Sequence, residues 1–347
     1  MEDLFNTFFF VIPVTSTTFH SFETLFKNMR KAGIGYLIVD EAGQAVPQQA
    51  IMPIYKSNRA IVVGDPLQIE PVVSITSDLD KYLIKSFNIE DPERYQTTSS
   101  SVQILADHGS SIGAFYEEYR VGIPLNIHRR CNNPMFDIAN EIAYKGRMIK
   151  GQTDKESVKN LIPDYIKGKP QSLWIHVDWE KSKKERQVVL DEIKALRKIL
   201  RDIESRLSQH DIDIEEFIKS KNLFIITPFK DIKEHIEKEF KKSSSKLENA
   251  LVNESLGKFI GTIHTFQGKE AKIVIIVLGG KGERSMNWVA SKPNMLNVAL
   301  TRAKEYCFII GDRSIWSNKP YFKEAVKYMN YIESKKLWDS DSSNTSH

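Results

Sequence analysis

Short β-branched and aromatic runs alternate with helix-like stretches along this chain, the pattern of an α/β protein with a mainly parallel sheet. The strand candidates are Phe8–Val14, Tyr36–Val39, Ala60–Val63, Ser172–Val177, Leu223–Thr227, Ile273–Leu278 and Tyr306–Ile310. Nearly all end in a polar or glycine-containing turn, which is where open parallel sheets hold ligands. At 347 residues the chain is long enough for two domains with separate cores.

Composition narrows the function classes. Hydrophobic residues make up 41% and charged residues 27%, ordinary for a soluble globular protein. The net charge of +4 permits a polyanionic partner, through a local basic groove, without requiring one. Only two cysteines occur, Cys131 and Cys307, which excludes a disulfide framework or a cysteine-rich metal site. Cys307 lies in an apolar run and reads as an inert buried thiol, so a reducing, cytoplasmic setting fits. Phe8–Val14 is too short to span a bilayer, and the Met1-Glu2-Asp3 start has the wrong charge for a secretory signal. No membrane partner is expected.

Two stretches interrupt the alternation. Residues 74–119 are polar, serine-rich around Thr97–Ser101 and weak in strand signal, which reads as an insertion or a connection between domains. In the second, Val189, Ile193, Leu196, Leu200, Ile203 and Leu207 recur at helical spacing amid charged residues. That stripe predicts an amphipathic helix, within an insertion at about 183–220, packed on its own domain rather than serving as a partner-binding coiled coil. The end from Asp339 to His347 is small and polar, the composition of a disordered tail.

The chemistry-bearing segments sit at the ends of the apolar runs. Val39-Asp40-Glu41-Ala42-Gly43-Gln44-Ala45 closes the run at Tyr36. An acidic pair there has the chemistry for magnesium and an attacking water: Asp40 would hold the Mg2+ shell and Glu41 would orient or deprotonate the water. The plainer reading is a strand end and helix N-cap. Gly64-Asp65-Pro66-Leu67-Gln68 contains turn formers, yet a turn has no need of Gln68, which could sense a terminal phosphate. Arg129-Arg130 are either solvated charges or the source of a guanidinium for a γ-phosphate. Gly261 to Glu270 gathers short hydrogen-bonding groups ahead of a strand, and no ligand cluster surrounds His264 to make it a metal site. Arg302, in the helix-like Leu296–Lys304, is either a second phosphate-reaching arginine or a surface charge.

These five segments, in this order, resemble motifs II to VI of superfamily 1 helicases, in the branch of the nonsense-mediated-decay helicase and its bacterial relatives. Asp40–Gln44 resembles motif II, Gly64–Gln68 motif III, Arg130 the motif IV arginine, Thr262–Glu270 motif V and Asn297–Lys304 motif VI. Pro13–Thr18 resembles a strand-end motif that touches the nucleic-acid backbone, and Leu223–Phe229 a backbone-contacting strand of the second domain. The resemblance runs from about Phe8 to Asp312. It implies two RecA-like P-loop NTPase domains, with parallel sheets flanked by helices. The first, at about 1–122, would be truncated at its N-terminus; the second would span about 123–330, with 331–347 as a tail. ATP and Mg2+ are the implied cofactors, with ATP in the cleft between the domains. Asp40, Glu41 and Gln68 would line one side, Asp40 holding Mg2+ through water. Arg130, Gln267, Gly268, Glu270 and Arg302 would line the other. Single-stranded DNA or RNA would cross both domains on Val14, Ser16, Thr17, Thr227, Pro228, Thr262 and His264, by phosphate contacts blind to base identity.

No G-x-x-x-x-G-K-S/T sequence occurs in the chain. In the family that loop lies upstream of the segment that Pro13–Thr18 resembles, and here only residues 1–12 precede Pro13. The expectation is the C-terminal portion of an ATP-dependent helicase or translocase, whose P-loop portion is supplied in cis or as a separate chain. A non-catalytic nucleic-acid-binding module and a decayed fragment are the alternatives.

Overall fold

The computed structural model describes residues 2–116, 119–166, 171–280 and 282–338, and the chain divides into two units, Met1–Leu125 and Asn126–His347. The shorter unit begins with helices α1 (Glu2–Val11) and α2 (Phe19–Leu25), then a two-stranded parallel sheet of β1 (Ile34–Val39) and β2 (Ser57–Val62). Phe8–Val14, expected as a strand, is corrected: Phe8 to Val11 complete α1, and Ile12 to Val14 are irregular. The spacing of the aromatics explains it. Phe5 and Phe9 stand one helical turn apart and both reach Phe26, at centroid distances of 5.8 and 6.3 Å, while Phe22 packs on the same ring at 4.8 Å. A strand would hold Phe5 and Phe9 about 13 Å apart, so ring packing outweighs β-propensity here. Buried Lys56 donates to the carbonyls of Phe26, Lys27 and Met29 at 2.6, 2.9 and 3.0 Å, closing the turn that follows α2.

One face of this small sheet is packed. Val39 joins Ala42, Ala45, Ala50 and Val102 in a core flanked by Phe19, Leu37 and Val62. Val102 opens α3 (Val102–Gly109), so the polar stretch at 74–119 supplies core to its own unit. Its Ser/Thr run is tied down as well: buried Asp80 accepts from the N–H and the hydroxyl of Thr98, each at 2.9 Å. The opposite face is bare. Tyr36, Ile38 and Ile61 are 61, 68 and 48% exposed, and Ile38 pairs with Ile61 across the ladder.

The longer unit holds a six-stranded, wholly parallel sheet. The sheet strands and the helices named below are, in chain order, α4 (Met135–Tyr144), β3 (Leu173–His176), α5 (Leu190–Gln209), β4 (Leu223–Thr227), α6 (Lys230–Phe240), β5 (Ile260–Thr262), β6 (Ala271–Val277), α7 (Glu283–Val289), α8 (Asn294–Thr301), β7 (Ala303–Gly311) and β8 (Asn330–Glu333). The spatial strand order is β5-β4-β6-β7-β3-β8. Every residue of β4 is buried, and β6 and β7 bury all but Lys272 and Lys304. Strands covered on both faces need apolar residues at consecutive positions, hence the continuous runs. The stripe of α5 faces inward: Ile193, Leu196, Leu200, Ile203 and Leu207 are buried, and the helix lies against β6 and β7.

The chain from 331, expected as a tail, begins with most of β8, where buried Ile332 pairs with Ile175 of β3. The expected disordered end, Asp339–His347, lies outside the described residues. Cys131 and Cys307 are fully buried free thiols, and burial raises both, Cys131 to about 12. No described helix is long and apolar enough to cross a membrane.

All five tryptophans belong to the longer unit, so their emission follows its unfolding. Ile275→Ala, in the buried middle of β6, is expected to cost about 2–5 kcal/mol in a urea titration read by that emission. Ile38→Ser, on the bare face of the shorter unit, is expected to leave the transition in place and to raise solubility.

Candidate functional site

In the shorter unit the loops after β1 and β2 are laid backbone against backbone. The Ala42 N–H donates to the Val63 carbonyl at 2.9 Å. A Cβ on Gly43 would stand 2.7 Å from the Asp65 carbonyl oxygen, and one on Gly64 would stand 2.7 Å from the nitrogens of Ala42 and Gly43. Main chain cannot yield as a flexible side chain can, so both positions require glycine. Glu41 adopts a left-handed conformation, φ 55°. A non-glycine residue enters that region at a cost, and such residues gather at functional positions. The Glu41 carboxylate accepts from Gln44 Nε2 at 2.9 Å, and its N–H donates to Asp40 Oδ1 at 2.9 Å. Asp40 itself is exposed.

Gln68 is oriented by a neighbour that the sequence reading did not single out. Its Nε2 donates to Asp65 Oδ2 at 3.2 Å, while Asp65 Oδ1 accepts the Leu67 N–H at 2.9 Å. The signal lay in the turn itself, because an aspartate that accepts an N–H two residues on makes a side-chain-closed turn. Val14, Ser16 and Thr17 lie in the exposed link between α1 and α2, after a helix rather than at a strand end.

In the longer unit Arg130 and Glu270 meet. Arg130 Nε stands 3.1 Å from Glu270 Oε2, and Lys304 Nζ pairs with the other carboxylate oxygen. Lys304, absent from the expected set, sits two residues beyond Arg302 at the start of β7. Burial is the largest influence on Glu270 and pushes its pKa up. The Lys304 hydrogen bond and the charges of Lys304, Arg130 and Arg302 together outweigh it, so the net shift is downward. Gly268, Glu270 and Lys304 line a cavity of about 270 Å³ together with Lys221, Lys269 and Lys272. Four lysines around one carboxylate favour an anionic occupant. In the same loop Gln267 keeps its Nε2 buried without a hydrogen-bond partner, a donor that a ligand oxygen would satisfy.

Arg302 is not the surface charge that one reading allowed. It is 1% exposed and donates to the carbonyls of Val298, Phe266 and Lys269 at 3.2, 3.5 and 3.1 Å. Its five-donor fork clasps the Phe266–Lys269 loop to α8. Arg129 is exposed. His128 accepts the Cys131 N–H on Nε2 at 3.0 Å, and burial, then Arg130 and Lys150, lower its pKa to about 4, so the ring is neutral at pH 7.

At the C-terminal ends of β4 and β5, Thr227 pairs in register with Thr262. Thr227 and Pro228 are buried, and Thr227 Oγ1 accepts the Phe229 N–H at 3.4 Å. The expected contact through the Thr227 hydroxyl is therefore corrected: it supports the strand end from within, Thr262 is half-buried, and His264 is the exposed one of the four expected contacts in this unit.

A family model described as an AAA domain matches residues 110–314, more than half of the chain, and a second of the same description matches residues 12–75. The chain belongs to the AAA domain family, in its superfamily 1 helicase branch. The ATP-dependent helicase NAM7 of Saccharomyces cerevisiae is 25% identical over 292 residues, covering 81% of this chain and 26% of the relative. The uncharacterized ATP-dependent helicase MG140 homolog of Mycoplasma pneumoniae is 26% identical over 340 residues, covering 93% and 27%. The uncharacterized ATP-dependent helicase MJ0104 of Methanocaldococcus jannaschii is 22% identical over 309 residues, covering 86% and 39%. This AAA-domain chain thus spans well under half the length of these curated relatives.

One buried carboxylate of this AAA-domain chain had no sequence signal, being one of the charged residues interspersed with the α5 stripe. Glu192, fully buried, accepts from Trp179 Nε1 at 2.7 Å and from the Gly279 N–H at 2.8 Å, joining the segments that follow β3 and β6. Burial raises its pKa to about 8 against the pull of those two hydrogen bonds, and Asp312 adds to the rise.

Folded, Glu192 keeps its proton to about pH 8; unfolded, it releases it near the ordinary value of 4.5. Ionisation therefore favours the unfolded chain as pH rises between those values, and stability of the longer unit is expected to fall across roughly pH 5 to 8. Urea midpoints read by tryptophan emission should show that slope in the native chain and lose this share of it in Glu192→Gln. In the shorter unit, Gly64→Ala is expected to spring the two loops apart. Limited proteolysis within Met1–Leu125 should then quicken while the tryptophan transition stays unchanged.

Proposed function

We propose that this chain is the C-terminal portion of an ATP-dependent superfamily 1 helicase or translocase, coupling ATP hydrolysis to movement on single-stranded DNA or RNA. The observation that carries the reading is the Arg130–Glu270–Lys304 cluster, with the unpartnered Gln267 donor in the same loop as Glu270. Cations paired on one carboxylate, with a buried free donor in the same loop, fit a polyphosphate with an attached sugar. Arg130 and Lys304 would hold phosphate oxygens, Gln267 would donate to the nucleotide, and Glu270 would accept from its hydroxyls. Arg302 would act through the Phe266–Lys269 loop that it clasps, positioning Gln267 and Gly268.

In the shorter unit, exposed Asp40 would hold Mg2+ through water. Among the described residues no group of three or more His, Cys, Asp or Glu could hold a metal, so the ion would complete its shell with water and phosphate oxygens. Glu41, strained and braced by Gln44, would orient the attacking water and take its proton, with Gln68 held ready by Asp65. ATP, when bound, supplies the bond that breaks and the charge that these groups balance. The curated relatives carry the name ATP-dependent helicase, which supports the reading. The chain has no G-x-x-x-x-G-K-S/T sequence, so the phosphate cradle would come from a P-loop portion, in cis or as a separate chain.

Co-expressed with or fused to that portion, the protein is expected to hydrolyse ATP faster when single-stranded nucleic acid is present. Glu41→Gln should slow hydrolysis about 100-fold or more while ATP binding persists. Arg130→Ala should slow it by a similar factor through lost charge stabilisation. Nucleic-acid binding that ignores ATP, without turnover, would replace this reading with a non-catalytic binding module.

A further inference from the structure

At the C-terminal edge of the parallel sheet, aromatic rings from separate segments form one surface. Phe229, just beyond Thr227-Pro228, and Trp288 of α7 have ring centroids 6.2 Å apart and planes inclined by 39°. The Gly280 backbone lies against Phe229 and Trp179: a Cβ there would stand 3.3 Å from the Trp179 ring and 3.7 Å from the Phe229 ring. Glycine at φ 120° allows that close approach. Glu192 fixes this floor through its hydrogen bonds from Trp179 and Gly279. Exposure rises outward, from buried Trp179 through half-buried Phe229 to Trp288, 54% exposed.

The fold of α7 does not depend on a tryptophan at its rim. Its inner face is Met286 and Val289, both buried. Lys319 Nζ donates to Asn287 Oδ1 at 2.8 Å and stands 3.7 Å from Glu283, which fixes the rotation of the helix. Trp288 is thereby held beside Phe229 with much of its ring in water, an apolar surface that folding leaves unused. Cations flank it. Arg284, one helical turn before Trp288, and Lys230, next to Phe229, are exposed, and Lys184 Nζ lies 5.5 Å from the centre of the Trp179 ring. An exposed π surface flanked by positive charge suits a polyanion that carries open π faces, and paired strands keep theirs stacked away.

We propose that Phe229 and Trp288 form a stacking platform for an unpaired base of single-stranded nucleic acid, with Arg284 and Lys230 drawing in its phosphates. The platform rests on the nucleic-acid reading given above and adds to it a contact with the bases. Such stacking tolerates any base, so it strengthens the grip without reading sequence.

The test is fluorescence anisotropy with the full 347-residue chain at one fixed salt concentration. The probes are two labelled strands of equal length and charge, one an oligothymidine of about twenty nucleotides and the other wholly abasic, long enough for the usual single-strand site size. The native chain is expected to prefer the oligothymidine by roughly 5- to 150-fold. Trp288→Ala should abolish that preference while leaving abasic binding in place, and Trp288→Phe, which keeps a ring, should retain most of it. Circular dichroism establishes that each variant is folded. Equal binding of both strands by the native chain, or a preference that survives Trp288→Ala, overturns the platform and leaves the phosphate grip standing; the aromatic surface would then suit a protein partner. A folded native chain that binds neither strand overturns the nucleic-acid reading and the platform together.

Discussion

Parallel pairing of β4, β6 and β7, with both faces of the sheet covered, is the constraint on which the longer unit depends. Parallel strands all run one way, so the loops that follow them collect at one edge and those that precede them at the other. The preceding edge gathers Lys221, Gly268, Glu270 and Lys304 around a charged cavity. The following edge gathers Trp179, Phe229, Gly279 and Gly280 into a largely apolar surface. One sheet thus carries two chemically opposite regions, one suited to phosphate and the other to aromatic faces, and the buried strands between them keep both in place.

The shorter unit is built on a different constraint. Its two strands bury one face only, over a core of small side chains at Ala42, Ala45 and Ala50. What holds its chemical groups in place is the direct contact of two loops, possible because Gly43 and Gly64 lack a Cβ. Small residues beneath the acidic pair let the loops close, and the closed loops hold Glu41 in a backbone conformation that it would not adopt freely.

Two glutamates of the longer unit show how placement decides charge. Glu192 is fully buried and meets only neutral donors, so burial wins and its pKa rises to about 8. Glu270 is only half-buried and meets Lys304 and Arg130, so its net shift is downward. The first is a brace that joins two loops. The second stays ionised and binds cations that a phosphate could claim.

Much of the longer unit was legible in the sequence, because strands covered on both faces are written as unbroken apolar runs and α5 as a periodic stripe. The segments at Asp40, Gly64, Arg130, Gln267 and Arg302 were legible too, since each compresses its chemistry into a few neighbouring residues. Phe8–Val14 was not: its composition suits a strand, but Phe26 recruits Phe5 and Phe9 at helical spacing. Lys304 on Glu270, Arg302 within its loop, Ile332 against Ile175 and Trp288 beside Phe229 join positions far apart in the chain. Local periodicity carries no information about such pairs. The sequence by itself determined the strands that are covered on both faces, β4, β6 and β7, and which residues carry charge beside them. Tertiary structure alone decided which of those residues are buried, which face water and which meet, because burial and contact depend on what long-range packing brings alongside.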